Sequence, residues 1–298
     1  MNTNQKVKQF LGSEAIANYR DAKAVILPIP YERTTTYRKG CEQGALAIIE
    51  ASQELEAYDE ELGIETCIEV GIHTLSAIAD TRINPTVSPE EMLAATTKEV
   101  KKLIRDGKFV IALGGEHAIT AGVVRAYYEA LSEPFTVVQI DAHGDMRHSY
   151  EGSIHNHACV MRRVLDLGLP TLPVGIRAIC KEEAELIAKE NIPAIFARDI
   201  YYDNNWIEKA IATISTKKVF ITVDLDGLDP SLLPGVGTPE PGGLNWYELT
   251  QFLKQIFLQR EVVGCDVMEL APTNDFVVSE FTAAKLVYKL IGYHFVNC

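Results

Sequence analysis

Residues 136–145, TVVQIDAHGD, combine a short apolar run with an acidic end that contains a histidine. The run is continuous rather than alternating, which is typical of a strand buried on both faces of a parallel sheet. Seven other segments share this character, and the predicted strands are 24–29, 67–71, 109–114, 136–141, 172–177, 193–197, 219–224 and 262–267. Helix-like segments separate them, so we predict an α/β fold with a mostly parallel sheet of about eight strands and helices on both faces.

The clearest helix signal is Ser88-Pro89-Glu90-Glu91. Serine caps a helix N-terminus, proline suits the first turn, and acidic residues suit the positive end of the helix dipole. Asp106-Gly107 is expected to end this helix. We see no linker, repeat or low-complexity run, so residues 1–298 are expected to form one domain. The Pro/Gly-rich segment 230–243, PSLLPGVGTPEPGG, is expected to be a long loop over the functional site.

Charge and composition exclude several classes of partner. The chain has 28 Lys and Arg against 41 Asp and Glu, a net charge of −13, which argues against nucleic acid and anionic membranes as partners. The six cysteines show no CxxC spacing and lie mostly among apolar residues, so we expect buried free thiols in a reducing compartment. No stretch approaches the roughly 18 apolar residues that a membrane span requires. We therefore expect a cytoplasmic protein.

Histidines and carboxylates are concentrated in a few short motifs. Five of the seven histidines lie between residues 117 and 157. The motifs are GGEH at 114–117, DAHGD at 141–145, NHA at 156–158 and DLD at 224–226. GGEH, DAHGD and DLD lie at or just past the end of a predicted strand, the edge where open parallel sheets bind ligands. We therefore expect these three to converge in space.

Their residue types predict a metal site. Alternate residues of an extended segment face the same side, so the carboxylates and histidines within DAHGD and DLD can point at one place. The candidate ligands are His117, Asp141, His143, Asp145, Asp224 and Asp226. Four buried carboxylates would repel one another strongly without cations. Oxygen-rich ligation with a minority of imidazole suits Mn²⁺ better than Zn²⁺ or copper. We therefore predict two Mn²⁺ ions, which can lower the pKa of a water molecule between them.

Taken singly, several of these residues have a plainer interpretation. An aspartate at a strand end usually caps a helix or closes a turn, and a lone histidine is more often structural than a ligand. Asp229, in GLDPS, is predicted to be a turn residue, and Glu116 to support a backbone turn or the neighbouring histidine. The joint pattern of the metal motifs at successive strand ends favours the metal site.

Several segments together resemble the ureohydrolase family, which includes arginase and agmatinase. They are GGEH, DAHGD, NHACVMRR, VDLDGLDPSLLPGVGTPEPGG and DVMELAP, and the resemblance extends from PIPYERTTTYRKG at 28–40 to FTAAKLVYKLIG at 281–292. Within the family, the chain most resembles bacterial and archaeal agmatinases. The resemblance implies a three-layer αβα, arginase-like fold, two Mn²⁺ ions per subunit, and a homo-oligomer that is a trimer or a hexamer.

The resemblance also implies roles for individual residues. One ion would be held by His117, Asp141, Asp145 and Asp224, and the other by Asp141, His143, Asp224 and Asp226. His157 matches the proton-shuttle histidine, and Glu269 matches the glutamate that pairs with the substrate guanidinium. Asp145 would also orient the attacking nucleophile. For Glu269, a structural salt bridge to a helix is the alternative.

The implied reaction is hydrolysis of a cationic guanidino compound to urea and an amine. Agmatine, which gives putrescine, is the expected substrate, and guanidinobutyrate, arginine and other guanidines are the alternatives. His148, Ser149 and Asn156 depart from the family pattern where the far end of the substrate should lie. Glu151 is the only acid in 148–156 and is expected to bind the distal ammonium, with a solvated loop position as its alternative.

Two functions of other classes also share some of these features. A related deacetylase would keep a single metal and would not need Asp145 and Asp226 together. A metal-dependent regulatory protein without catalysis would have no reason to keep the full ligand set. Both are therefore less favoured than a ureohydrolase.

Overall fold

The computed structural model describes residues 7–12, 17–273 and 276–296. Its strands are β1 Ala24–Ile29, β2 Tyr58–Asp59, β3 Ile64–Glu65, β4 Ile72–Thr74, β5 Phe109–Gly114, β6 Phe135–Ile140, β7 Thr171–Ile176, β8 Ile195–Phe196, β9 Lys218–Asp224 and β10 Glu261–Met268. Its α-helices are α1 Gly44–Ala51, α2 Thr66–Val70, α3 Pro89–Arg105, α4 Ile119–Ala130, α5 Val160–Asp166, α6 Lys181–Glu190, α7 Ala197–Tyr202, α8 Trp206–Ala212, α9 Trp246–Gln259 and α10 Val278–Phe295.

Eight strands form one parallel sheet in the order β4-β1-β5-β10-β9-β6-β7-β8. The remaining pair, β2 and β3, forms a short antiparallel hairpin. This arrangement confirms the predicted α/β fold with about eight strands.

The buried side chains form two apolar clusters, one on each face of the sheet. In β1, Ala24 and Ile26 belong to one cluster, whereas Val25, Leu27 and Ile29 belong to the other. Helices α1, α8, α9 and α10 pack on the first face, and α3, α4 and α5 pack on the second. Successive residues of a strand point to opposite faces of the sheet, and both faces are covered by helices. The residues on both faces must therefore be apolar, which explains the continuous apolar runs. The result is a three-layer αβα structure.

One predicted strand is wrong. Residues 67–71 were expected to form a strand, but Thr66–Val70 forms α2, and the strand β4 follows at Ile72–Thr74. Cys67 and Val70 are buried three residues apart while Ile68 is 61% exposed, which is helical spacing on a half-buried surface. Gly71, at φ 70°, ends the helix in a conformation that favours glycine. The predicted strand 193–197 is also shorter, since β8 has only two residues.

The predicted helix caps and free thiols are present. Ser88 accepts a hydrogen bond from the Glu91 amide, and the Glu91 side chain accepts one from the Ser88 amide, forming a capping box. The helix ends at Arg105, directly before Asp106-Gly107. Five cysteines are free, and four of them are buried, while Cys298 lies outside the described residues. Among the described residues, no helix has both the length and the apolar character to cross a membrane.

Candidate metal centre and active site

Four neighbouring strands at the centre of the sheet place the functional side chains. These strands lie in the order β5-β10-β9-β6. His117 lies shortly after the end of β5, and Glu269 comes directly after β10. Asp224 is the last residue of β9, and Asp141 comes directly after β6. These strands are consecutive in space although their order along the chain is different. The carboxyl ends of parallel strands share one edge, so residues as far apart along the chain as His117 and Glu269, 152 positions, meet there.

The first group of ligand atoms surrounds His117. The Nδ1 atom of this fully buried ring lies 3.0 Å from Asp145 Oδ2, 3.1 Å from Asp141 Oδ2 and 3.2 Å from Asp224 Oδ2. One nitrogen cannot donate a good hydrogen bond to three separate oxygens, because it carries at most one proton. Four ligand atoms that converge in this way suit a cation placed between them.

The second group shares Asp141 with the first. His143 Nδ1 lies 2.9 Å from Asp226 Oδ2 and 3.6 Å from Asp141 Oδ1, and the ligand atoms of these three residues all lie within 4.8 Å of one another. Asp141 therefore offers one oxygen to each group. Among the described residues Asp224 belongs to the first group and not to the second, so a bridging role for Asp224 stays a prediction.

The charges of these buried groups favour cations. Burial, together with the charge of Asp141, raises the pKa of Asp145 to about 7. Burial and neighbouring carboxylates also raise the pKa values of Asp224 and Asp226. Burial opposes ionisation of Asp141, but hydrogen bonds with His117 and His143 lower its pKa below the usual range. Without cations the cluster would retain protons, and divalent ions can replace them. The donor set, four carboxylates and two imidazoles, therefore fits two hard or intermediate divalent ions.

Two residues of the candidate site, Asp145 and Glu269, have a strained backbone conformation. Asp145 has φ 52° and Glu269 has φ 67°, values in the left-handed region that side chains with a Cβ atom rarely adopt. Such strain persists only where surrounding contacts fix the conformation, and it is frequent at functional sites. The Asp145 carbonyl accepts hydrogen bonds from the Met161 and Arg162 amides, which hold this turn against α5.

Glu269 is positioned by the loop that carries His117. Its amide donates to the Gly115 carbonyl oxygen at 2.8 Å, and its Oε1 accepts from the His117 amide at 2.7 Å. Burial raises its pKa to about 8. The ion pairs among the described residues do not include Glu269, so the structure does not show the structural salt bridge that was the alternative. Glu269 lines the same cleft as four of the metal-ligand candidates, His143, Asp145, Asp224 and Asp226.

His157 lies at the start of a 3₁₀ helix, His157–Cys159, whose N-cap is Asn156. It lines the cleft together with Asp145 and Asp224. Its Nε2 atom is buried and has no hydrogen-bond partner among the described residues. Burial and the nearby positive charges of His143 and His117 lower its pKa to about 4. A neutral imidazole with an unpaired nitrogen in a cleft can accept and pass on a proton.

The cleft has a volume of about 420 Å³, within the range of small-molecule sites. Beyond the predicted residues, its lining includes Glu183, Glu240, Arg147 and Tyr150. Both Glu183 oxygens accept backbone hydrogen bonds, from Met146 and Cys180, so this glutamate is committed to the protein. The Arg147 guanidinium lies 4.8 Å from the centre of the Tyr150 ring. Glu240 is half-buried and belongs to the Pro/Gly-rich loop 230–243. Because Glu240 lines the cleft, this loop contributes to the site, as the sequence predicts.

Arg177 fixes the position of that loop. Its guanidinium follows β7 and donates to the carbonyl oxygens of Asp226 at 2.7 Å, Glu240 at 2.8 Å and Leu228 at 3.2 Å. It thereby links the turn that carries a metal-ligand candidate to the loop that carries Glu240. Its position just past β7, at the edge where the motifs converge, is the sequence signal that could have identified it.

The structure does not bring Glu151 into the cleft. The amide and carbonyl groups of Tyr150 and Ser153 pair with each other, and Glu151 and Gly152, at φ 46° and 79°, form the tip of this turn. This geometry directs Glu151 to solvent. The position of Glu151 therefore gives no support to a substrate contact, which stays a prediction. His148, also in this loop, is exposed, and His155 is half-buried.

Two further sequence predictions concern local support. Asp229 accepts hydrogen bonds from Ser231, Gly242 and Gly243, which confirms it as a turn residue. Glu116 accepts hydrogen bonds from the segment at residues 33 and 34, so it supports a backbone turn.

Comparison with known proteins agrees with this geometry. The model of the arginase family matches residues 22–292 of the chain. The chain belongs to the arginase family. This assignment makes it a hydrolase of guanidino C–N bonds, a ureohydrolase. It also confirms the family resemblance noted in the sequence and disfavours the deacetylase and the non-catalytic regulator.

Individual arginase-family members are similar over nearly their whole length. The N(1)-aminopropylagmatine ureohydrolase of Synechocystis sp. is 60% identical over 286 residues, covering 96% of this chain and 94% of the relative. A protein of the same name from Thermus thermophilus is 38% identical, covering 94% and 92%. The crystal structure of agmatine ureohydrolase of Thermoplasma volcanium matches with a TM-score of 0.83 and 32% identity, covering 97% and 94%.

Proposed function

We propose that this ureohydrolase hydrolyses N(1)-aminopropylagmatine and uses two Mn²⁺ ions. The observation that carries the site chemistry is the pair of ligand groups joined by Asp141 beside Glu269 and His157 in one cleft. The 60% identity with the Synechocystis protein supports the substrate. The oxygen-rich donor set with two imidazoles supports manganese.

The proposed reaction is a balanced hydrolysis. Water adds to the guanidinium carbon, the bond between this carbon and the nitrogen that carries the alkyl chain breaks, and that departing nitrogen takes up a proton. N(1)-aminopropylagmatine and water would give urea and spermidine, whereas agmatine and water would give urea and putrescine. The reacting group is the same in both, so the two substrates differ only in the length and charge of the tail.

The chain's own residues account for binding and proton movement. Glu269, with one oxygen held by the His117 amide, would accept paired hydrogen bonds from the planar guanidinium and align its carbon. Asp145 would orient the attacking water and stabilise the charge of the tetrahedral intermediate. His157 would deliver a proton to the departing nitrogen through its unpaired Nε2. Bound divalent ions would supply Lewis acidity, which lowers the pKa of water.

Recognition of a cationic tail is assigned to the rim of the cleft. Glu240 is the rim carboxylate best placed for this role, because Glu183 is committed to backbone hydrogen bonds. The Arg177 guanidinium donates a hydrogen bond to the Glu240 carbonyl oxygen and so fixes the backbone at Glu240. The face of the Tyr150 ring can attract an ammonium, although Arg147 already lies over this ring.

Replacing Glu240 with glutamine is expected to raise the KM for N(1)-aminopropylagmatine roughly tenfold, about 1.4 kcal/mol, with little change in kcat. The variant loses a half-buried negative charge that would bind the cationic tail. This loss weakens binding of the substrate and of the transition state equally, so KM rises while kcat changes little. Steady-state urea release measures both constants. Glu151→Gln is the matched control, since Glu151 lies at a turn tip outside the cleft. A larger KM effect from Glu151→Gln than from Glu240→Gln would assign tail binding to Glu151, as the sequence predicted.

Agmatine is the second candidate substrate, because a solved structure with 32% identity is described as an agmatine ureohydrolase. A carboxylate-tailed guanidine such as guanidinobutyrate or arginine is the third, since Arg147 lines the cleft. A comparison of kcat/KM for urea release across these compounds tests the proposal. We expect the largest value for N(1)-aminopropylagmatine. A larger value for agmatine or for a carboxylate-tailed compound would overturn the substrate, while urea release from none would overturn the activity.

Three further expectations from the sequence belong to this proposal. The protein is expected in the cytoplasm, it is expected to bind neither nucleic acid nor membrane, and it is expected to form a trimer or a hexamer. The acidic composition supports the second of these. Size measurement of the metal-loaded protein in solution tests the third.

A further inference from the structure

We infer that Thr34 is a positioning residue that holds His157 in the active site by linking it to the buried carboxylate of Glu116. The inference rests on the proposed role of His157 in proton transfer. Thr34 lies far from both partners along the chain, and its importance appears only in the folded structure.

The first step is a close approach between two backbone segments. Beyond the ends of β1 and β5, the chain continues side by side: the Gly115 amide donates to the Ile29 carbonyl oxygen at 3.1 Å, and the Glu116 amide donates to the Tyr31 carbonyl oxygen at 2.9 Å. A Cβ atom at Gly115 would lie 2.0 Å from the Tyr31 oxygen, so only glycine permits this approach. The second glycine of the GGEH motif is thereby explained.

The second step is the satisfaction of the Glu116 carboxylate. This side chain is fully buried, and a buried carboxylate is costly unless it is hydrogen-bonded. Its Oε2 accepts from the amides of Arg33 and Thr34, both at 2.6 Å, and its Oε1 accepts from the Thr34 hydroxyl at 2.8 Å. All of these donors belong to two consecutive residues. Glu116 therefore fixes the position of this segment.

The third step is the contact with the active site. The Thr34 hydroxyl oxygen accepts a hydrogen bond from the His157 amide at 2.9 Å. Because the hydroxyl proton is directed to Glu116, a lone pair remains for the His157 amide. The Asn156 side chain adds a longer contact to the Thr34 carbonyl oxygen, at 3.4 Å. Thr34 thus joins the loop before His157 to the loop that carries His117.

This link has a functional consequence. The imidazole of His157 makes no hydrogen bond through Nε2 among the described residues, so the hydrogen bond from its amide to Thr34 contributes to its placement in the cleft. The neighbouring turn, Tyr150–Ser153, is short and its tip is exposed, so it offers little restraint. Displacement of a reacting group by about 1 Å can cost on the order of 10² in rate.

The test compares Thr34→Val with Thr34→Ser. Valine has the shape of threonine but removes the hydroxyl, which leaves Glu116 Oε1 and the His157 amide without their partner. We expect Thr34→Val to lower kcat for urea release about ten- to a hundredfold, with KM and metal content per chain within twofold of the wild type. Thr34→Ser keeps the hydroxyl and is expected to retain wild-type kcat within threefold.

A second readout needs no turnover. Hydrogen exchange of the His157 amide should become faster in Thr34→Val and stay slow in Thr34→Ser, whatever the substrate of the enzyme proves to be. Unchanged kcat and unchanged exchange in Thr34→Val would overturn the inference. Equal losses in the valine and serine variants would also overturn it, because they would indicate a packing role. Failure of the wild type to release urea from any guanidine would instead contradict the proposed function, and the exchange measurement would still decide the contact.

Discussion

The Glu269→Gln variant is expected to bind metal and fold like the wild type while its kcat falls by about 10²–10³. Glutamine keeps an oxygen that can accept the hydrogen bond from the His117 amide, so the local structure should persist. What it loses is the negative charge that pairs with the guanidinium in a buried cleft. Urea release at saturating substrate, together with metal content and thermal melting, measures each part of this expectation.

The melting and metal data separate two roles for Glu269. If the variant loses its metal or melts at a much lower temperature, Glu269 is a structural residue. A kcat within threefold of the wild type would contradict any contact between this carboxylate and the reacting group.

The second large effect is expected at Asp141. Asp141→Asn should abolish detectable urea release and the binding of both ions, because within the described part of the chain only Asp141 belongs to both ligand groups. Asp226→Ala is the matched comparison, since Asp226 belongs to the second group alone. That variant should lose mainly one ion. Elemental analysis of manganese-loaded, dialysed protein measures the difference.

A different pattern would change the assignment. Equal loss of both ions in Asp226→Ala would mean that the two groups form a single cooperative site. Retention of both ions in Asp141→Asn would show that Asp141 does not bridge, and Asp224, predicted from the sequence as a second bridge, would then carry that role.

Most of the sheet could be predicted from the sequence because its strands are buried on both faces. A segment such as Phe109–Gly114 must be apolar throughout, and such runs are easily recognised. The prediction of a strand at 67–71 was wrong because it relied on the same signal, an apolar run. This segment is short and mostly apolar, and in so short a run a half-buried helix and a strand have similar composition. Only the exposure of Ile68 in the folded chain distinguishes them.

The ligand candidates could be predicted because topology, rather than side-chain detail, brings them together. His117, Asp141 and Asp224 each follow or close a central parallel strand, and those ends must share one edge. The rim of the cleft is different. Whether Glu151 or Glu240 faces the substrate depends on local turn angles, and the positive φ values of Glu151 and Gly152 cannot be deduced from composition.

Polar contacts between residues far apart along the chain could not be predicted from the sequence either. Thr34 lies 82 residues from Glu116 and 123 residues from His157, and nothing in PYERTTTYR indicates which threonine hydroxyl is buried against them. Such contacts depend on the exact approach of two loops. Periodicity and motif spacing carry no information about that approach.

We propose that the two ligand groups, joined by Asp141, hold two cations in the cleft where a guanidinium is hydrolysed. The most direct test of this proposal is a titration of the metal-free wild-type chain with Mn²⁺, counting bound ions per chain while urea release is followed in the same samples. We expect two bound ions per chain, with full activity reached only as the second ion binds. Binding of one ion or none, or full activity with a single ion, would contradict it.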